Sequence, residues 1–227
     1  MGGFVLYLAF MIPPLVIGLA VQAWLKRTFA KYSNVELASG LSGAQVARQI
    51  LERNGLDEVP VELAPGGALS DHYDPRKRAL FLSEPVYVPP SVAAAAVGAH
   101  ETGHALQHAA GYVPLRLRSA MYPAVAFAST AWIWLLVLGA ILGALNLVAL
   151  ALVLYAVAVA FHVVTLPVEF NASRRAAVQL RELGIVGAGE GAGVQKVLNA
   201  AALTYVAGAL AALSLLLYYA LAFFGND

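Results

Sequence analysis

Charged residues are spread so unevenly along the 227-residue chain that three uncharged, apolar runs stand out: Gly2 to Leu25, Ser119 to Val168 (His162 apart) and Val197 to Asn226. A helix needs about 20 apolar residues to cross the hydrocarbon of a bilayer. At about 1.5 Å per residue the first run makes a helix of roughly 36 Å, enough for one crossing, whereas the second would be roughly 75 Å as a single helix. The second run is therefore read as two crossings joined by a turn at Gly143 to Asn146, and the third supplies a span near Leu203 to Phe224. Pro13 and Pro14 predict a kink in the first helix. A secretion signal cleaved after Val21-Gln22-Ala23 is the alternative for that run, but no Lys or Arg precedes it and it exceeds the apolar core of such a signal. The predicted order is an anchor helix over 1–25, a polar region over 26–118, two spans over 119–168, a second polar segment over 169–202, and a last span with a short tip over 203–227.

Within the first polar region the periodicities are local and clear. Ser42 predicts the cap of a helix running through Asn54, with Val46, Ile50 and Leu51 on one face and Gly55 as the stop. Val59 to Leu63 and Ala79 to Ser83 alternate or cluster as short strands, with a turn at Asp74-Pro75, giving a short β hairpin. A second helix is expected from Ser91, after Pro89-Pro90, to about Gly111. Gly184 to Gly193, with five glycines, reads as a flexible loop. The fold class is thus mainly α: a multi-span helical membrane protein with a small α+β cytoplasmic portion.

Composition supports the bilayer. The chain is 60% hydrophobic and 12% charged, against roughly 45 to 50% and about 25% in soluble domains. A net charge of +1 lacks the basic footprint of nucleic-acid binding, so nucleic acid is excluded as a partner. All 14 Lys and Arg lie between Lys26 and Arg118 or between Arg174 and Lys196. With four spans both segments fall on one side, and because basic loops stay in the cytoplasm, the expectation is an integral protein of the cell inner (plasma) membrane with both polar segments cytoplasmic. There is no cysteine, so any metal must be held by nitrogen and oxygen.

The candidate chemistry lies on the second helix. His100 and His104 are four residues apart and project from one face. Two neutral imidazoles at that spacing can share one Zn²⁺, and Glu101 beside them is placed to take a proton from a bound water. The bland reading is an alanine-rich helix that happens to carry two histidines. His108 extends the row, but a straight helix rises roughly 12 Å over eight residues, so His100 and His108 cannot reach the same ion. The better third ligand is Glu169, at the end of the third span, because an open catalytic site needs three protein ligands; the alternative is a solvated helix end. Ser173, one turn beyond, could orient it or a histidine. His72, Tyr73 and Arg174 are the candidates for stabilising a developing oxyanion. For His72 the competing role is a turn residue that hydrogen-bonds the hairpin. His162, two turns before Glu169, could approach from the membrane side or make a structural hydrogen bond. The edge of Ala79 to Ser83 could pair with an extended substrate.

These residues match a known pattern. The chain resembles the YugP-like membrane zinc metallopeptidases, and more distantly the HtpX-like and CAAX prenyl protease group of gluzincins. The likeness is carried by Asp71-His72-Tyr73-Asp74-Pro75, Leu82 to Tyr87, the HETGHALQH helix, LPVEFNASRR and Ala201 to Ala207. It implies a zincin-like portion and a zinc endopeptidase with one Zn²⁺ per chain, held by His100, His104 and Glu169, with Glu101 as general base. The distant group usually has Asp four residues after the glutamate ligand, where this chain has Ser173. Peptides or membrane-protein segments at the cytoplasmic face are the expected substrates, the lipid bilayer is the setting, and partner proteins are not specified. A catalytically silent, zinc-stabilised scaffold binding other membrane proteins is the alternative. A transporter is disfavoured, because apart from His162 the spans hold no ionisable group of the kind an ion pathway uses.

Overall fold

The computed structural model describes residues 2–67 and 70–225; the end of the C-terminal tip, Asn226 and Asp227, lies outside the described residues. Helix α1 (Gly2–Ser33) is followed by α2 (Gly43–Arg53), β1 (Val61–Leu63), β2 (His72–Asp74), β3 (Ala79–Leu82), α3 (Glu84–Tyr87), α4 (Val92–Ala109), α5 (Val113–Leu142), α6 (Leu145–Glu182) and α7 (Ala188–Phe224). Among the described residues four helices are long and apolar enough to cross a membrane, in Phe4–Ser33, Val113–Leu142, Leu145–Glu182 and Gly189–Phe223. The mainly α, four-span reading therefore holds. Gly143, at φ 62°, forms the turn between α5 and α6.

The chain divides into two compact units, one within Met1–Gln22, Arg116–Pro167 and Thr204–Asp227, the other within Ala23–Leu115 and Val168–Leu203. In the first, aromatic rings do much of the packing. Trp132 lies 4.4 Å from Tyr155 between ring centroids, Tyr7 lies 5.1 Å from Tyr218, and the Ser214 hydroxyl donates to the Phe10 carbonyl at 2.6 Å. The second unit holds all the Lys and Arg except Arg116 and Arg118.

In that second unit, local sequence signals set the elements. Ser42 and Gln45 close a reciprocal capping box on α2, and Gly55 at φ 68° stops it. Ser91 caps α4 by accepting from the Ala94 N–H at 3.1 Å. The run Val92 to Ala96 is wholly buried, and Val92, Ala93, Ala95 and Ala96 pack with Leu37, Ile50, Leu180 and Leu198 in one core. Small residues let the helices close in. A Cβ on Gly98 would meet the Gly43 carbonyl oxygen at 2.5 Å, and one on Gly103 would meet that of Ala172 at 2.6 Å.

The sheet corrects the strand reading. Its order is β1-β3-β2, with β1 parallel and β2 antiparallel to β3. The Leu80 N–H donates to Pro60 and the Leu82 carbonyl accepts from Ala64, so those groups face β1, while Ala79 and Phe81 pair with Asp74 and His72. Ala79 to Ser83 is thus the central strand and has no free edge for a substrate. The hairpin partner of β3 is His72–Asp74, with the turn fixed by Asp74 Oδ1, which accepts from the N–H groups of Arg76 and Lys77 at 2.8 and 3.1 Å.

The glycine-rich segment is also different from the loop expected of it. Only Gly184 (φ 64°) and Gly187 lie in the link, and α7 already begins at Ala188. Glu190 ties the start of that helix down, accepting from Gly187 N–H and Ala38 N–H, each at 2.7 Å. A Cβ on Gly193 would meet the Tyr32 ring at 2.7 Å. At Gly193 the absence of a side chain serves close packing.

Candidate metal centre

Helix α4 carries His100 and His104 on one face, and α6 crosses it where Gly103 meets Ala172, which brings Glu169 between the two imidazoles. Glu169 Oε2 lies 3.2 Å from His100 Nε2 and 3.6 Å from His104 Nε2. One ligand atom from each residue lies within 4.8 Å of the others. The Glu169 side chain is 1% exposed, and the imidazoles 12% and 10%. Each ring is anchored by its other nitrogen, His100 Nδ1 by Ser173 Oγ at 3.1 Å and His104 Nδ1 by Gln107 Oε1 at 3.0 Å. Both Nε2 atoms are thereby aimed at one buried carboxylate oxygen, a nitrogen–oxygen donor set of the kind Zn²⁺ takes, with no thiolate in the chain to compete.

Glu101 is buried beside this cluster, and its Oε2 accepts from the Tyr73 N–H at 3.1 Å. Because His72 and Asp74 direct their main-chain groups at β3, Tyr73 N–H is on the outer side of β2, where α4 runs. Burial pushes the Glu101 carboxyl up to about 7, opposed by His100 and reinforced by Glu169 and Asp71. Asp71 is itself held by the Ser83 N–H at 2.7 Å and by the Ser83 hydroxyl.

The other predicted residues are distributed unequally. Tyr73 packs against α4, with its hydroxyl 2.8 Å from His108 Nδ1; burial raises the phenol above its ordinary range, so it enters that contact protonated. His108 thus touches the strand that tethers Glu101. Ser173 meets His100. His72, the neighbour of Tyr73 in the strand, points to the opposite face of the sheet, stacks on Phe81 at 5.0 Å and has its Nδ1 2.8 Å from the Ser70 carbonyl. That geometry fits the hairpin role. Arg174 is exposed on α6. His162 belongs to the other unit.

Three residues escaped the sequence reading. Gln107 is fully buried, and its Nε2 donates to the Val168 carbonyl at 2.7 Å and to Asn171 Oδ1 at 3.0 Å. Arg175 Nε donates to the same Asn171 oxygen at 2.8 Å. The signal available was spacing: Gln107 is one turn after His104, and Asn171 and Arg175 follow Glu169 within two turns of α6.

Comparison with known proteins points to a zinc peptidase family. A family model described as "Putative neutral zinc metallopeptidase" matches residues 7–224. A protein of Bacillus subtilis (strain 168) named "Putative membrane protease YugP" is 50% identical over 207 residues, 91% of this chain and 92% of its own length. No solved structure matches.

Proposed function

This chain belongs to the zinc metallopeptidase family whose model spans it, and from that premise we propose that it is a membrane-embedded endopeptidase cutting unstructured peptides or membrane-protein segments at the cytoplasmic face. The observation that carries the reading is the convergence of His100 Nε2, His104 Nε2 and a Glu169 oxygen within 4.8 Å, with a buried, tethered Glu101 beside them. We assign the first three as the ligands of one Zn²⁺. When bound, the ion polarises the scissile carbonyl and lowers the pKa of a water to about 7.

Glu101 acts as the general base. The Tyr73 N–H fixes one carboxylate oxygen and leaves the other to take the proton of the attacking water. The same carboxyl can then pass that proton to the departing amine. The small exposure of the ligand side chains favours extended chain as substrate, since a folded surface could not reach them. The cytoplasmic placement rests on the basic residues concentrated in the unit that holds the site.

The test is zinc content and cleavage of an unfolded protein in detergent, for the parent and Glu101→Gln. The parent is expected to hold one zinc per chain and to cleave. Glu101→Gln should keep the metal and lose about a hundred- to ten-thousand-fold in rate, the range for a general base. A parent that binds zinc stoichiometrically but never cleaves would be a scaffold. Full activity in Glu101→Gln would overturn the assigned role.

A further inference from the structure

We propose that Gln107 is a positioning residue that fixes His104 as its Nδ1–H tautomer, so that Nε2 presents a lone pair to the ion; this rests on the assignment of His104 as a zinc ligand. The inference follows from donor and acceptor identities alone. An amide such as Gln107 presents one oxygen and one NH₂ of nearly equal size, and its partners decide which is which. Here the surroundings do. The Val168 carbonyl can only accept, so the Gln107 atom 2.7 Å from it must be nitrogen. The same nitrogen faces Asn171 at 3.0 Å, and the Asn171 atom there must be oxygen because the Arg175 guanidinium, a donor only, points to it at 2.8 Å. Two independent constraints therefore leave Gln107 Oε1 facing His104 Nδ1 at 3.0 Å. An oxygen acceptor there requires a proton on Nδ1, so that Nε2, which faces Glu169 Oε2 at 3.6 Å, is the nitrogen left to present its lone pair to the ion.

His100 has no such lock. The partner of its Nδ1 is the Ser173 hydroxyl, which can donate or accept. Gln107 is 0% exposed, so leaving its amide unpaired would be costly, and the network has one low-energy orientation. Because the amide also grips the carbonyl of the residue preceding Glu169, it ties the tautomer of one proposed ligand to the position of another.

The experiment uses the full-length, zinc-loaded protein in detergent, with ¹⁵N-labelled histidine, and measures zinc affinity by chelator competition alongside. The parent should show His104 as the Nδ1–H form. Gln107→Met, similar in size but without donor or acceptor, should mix the tautomers and weaken zinc by about 10- to 100-fold, the range for outer partners of a metal ligand. Arg175→Lys keeps a donor to Asn171 and should retain both properties. An Nε2–H form in the parent overturns the proposal, even if Gln107→Met does not fold. So does a Gln107→Met protein with unchanged tautomer and affinity while the parent binds zinc. A parent that binds no zinc instead fails the ligand assignment itself.

Discussion

Glu169 carries more of the centre than any other single side chain, because both imidazoles converge on one of its oxygens. A carboxylate 1% exposed needs compensating charge or donors, since burying an unpaired anion is expensive. Glu169→Gln keeps the shape and removes the charge. Zinc affinity should fall by more than the roughly 10- to 100-fold typical of an outer partner, and chelator competition on the purified variant measures it. Unchanged affinity would remove Glu169 from the ligand set. Ser173 supplies an uncharged hydroxyl to His100, while Gln107, Asn171 and Arg175 form a second polar network beside the histidines.

At the level of elements, the site is a crossing of α4 over α6 with β2 laid along α4. The crossing depends on Gly103. A Cβ there would meet backbone atoms of Ala172 at 2.6 and 3.1 Å, and backbone cannot swing aside as a side chain can. Gly103→Ala should therefore cost about 1 to 3 kcal/mol, as overpacking does, and weaken zinc by moving His100 and His104 away from Glu169. Thermal unfolding with and without zinc measures both effects, and a variant with wild-type stability and affinity would show that the helices have room to part. Much of this scaffold was legible in the sequence because its determinants are local: the Ser42 and Ser91 caps, the Gly55 stop, the i, i+4 histidines. Strand roles were not, since a four-residue apolar run such as Ala79–Leu82 reads the same in the middle of a sheet as at its edge. Only the pairing of Leu80 and Leu82 with β1 and of Phe81 with His72 decides it. Gly193 of α7 misled for a similar reason, because what it packs against is the Tyr32 ring, remote in sequence. Gln107 was hidden because one polar residue on a helix says nothing of its partners across a packing interface.

For the whole molecule the open quantity is which side of the membrane the site faces. Four spans place the Lys26 to Arg118 and Arg174 to Lys196 segments together, and all the Lys and Arg of the chain are in them. An outward-facing site would have to carry all 14 of those positive charges across the membrane, against the usual bias. The chain has no cysteine, so single cysteines can report on topology without a background. Glu52→Cys on α2 and Leu145→Cys at the start of α6 replace exposed residues in the two regions expected on opposite sides. In intact cells a membrane-impermeant maleimide should label the cysteine at 145 and leave that at 52 unlabelled until the membrane is permeabilised. Labelling of the cysteine at 52 in intact cells, with that at 145 protected, would put the metal centre outside and require its substrates to be extracytoplasmic chains.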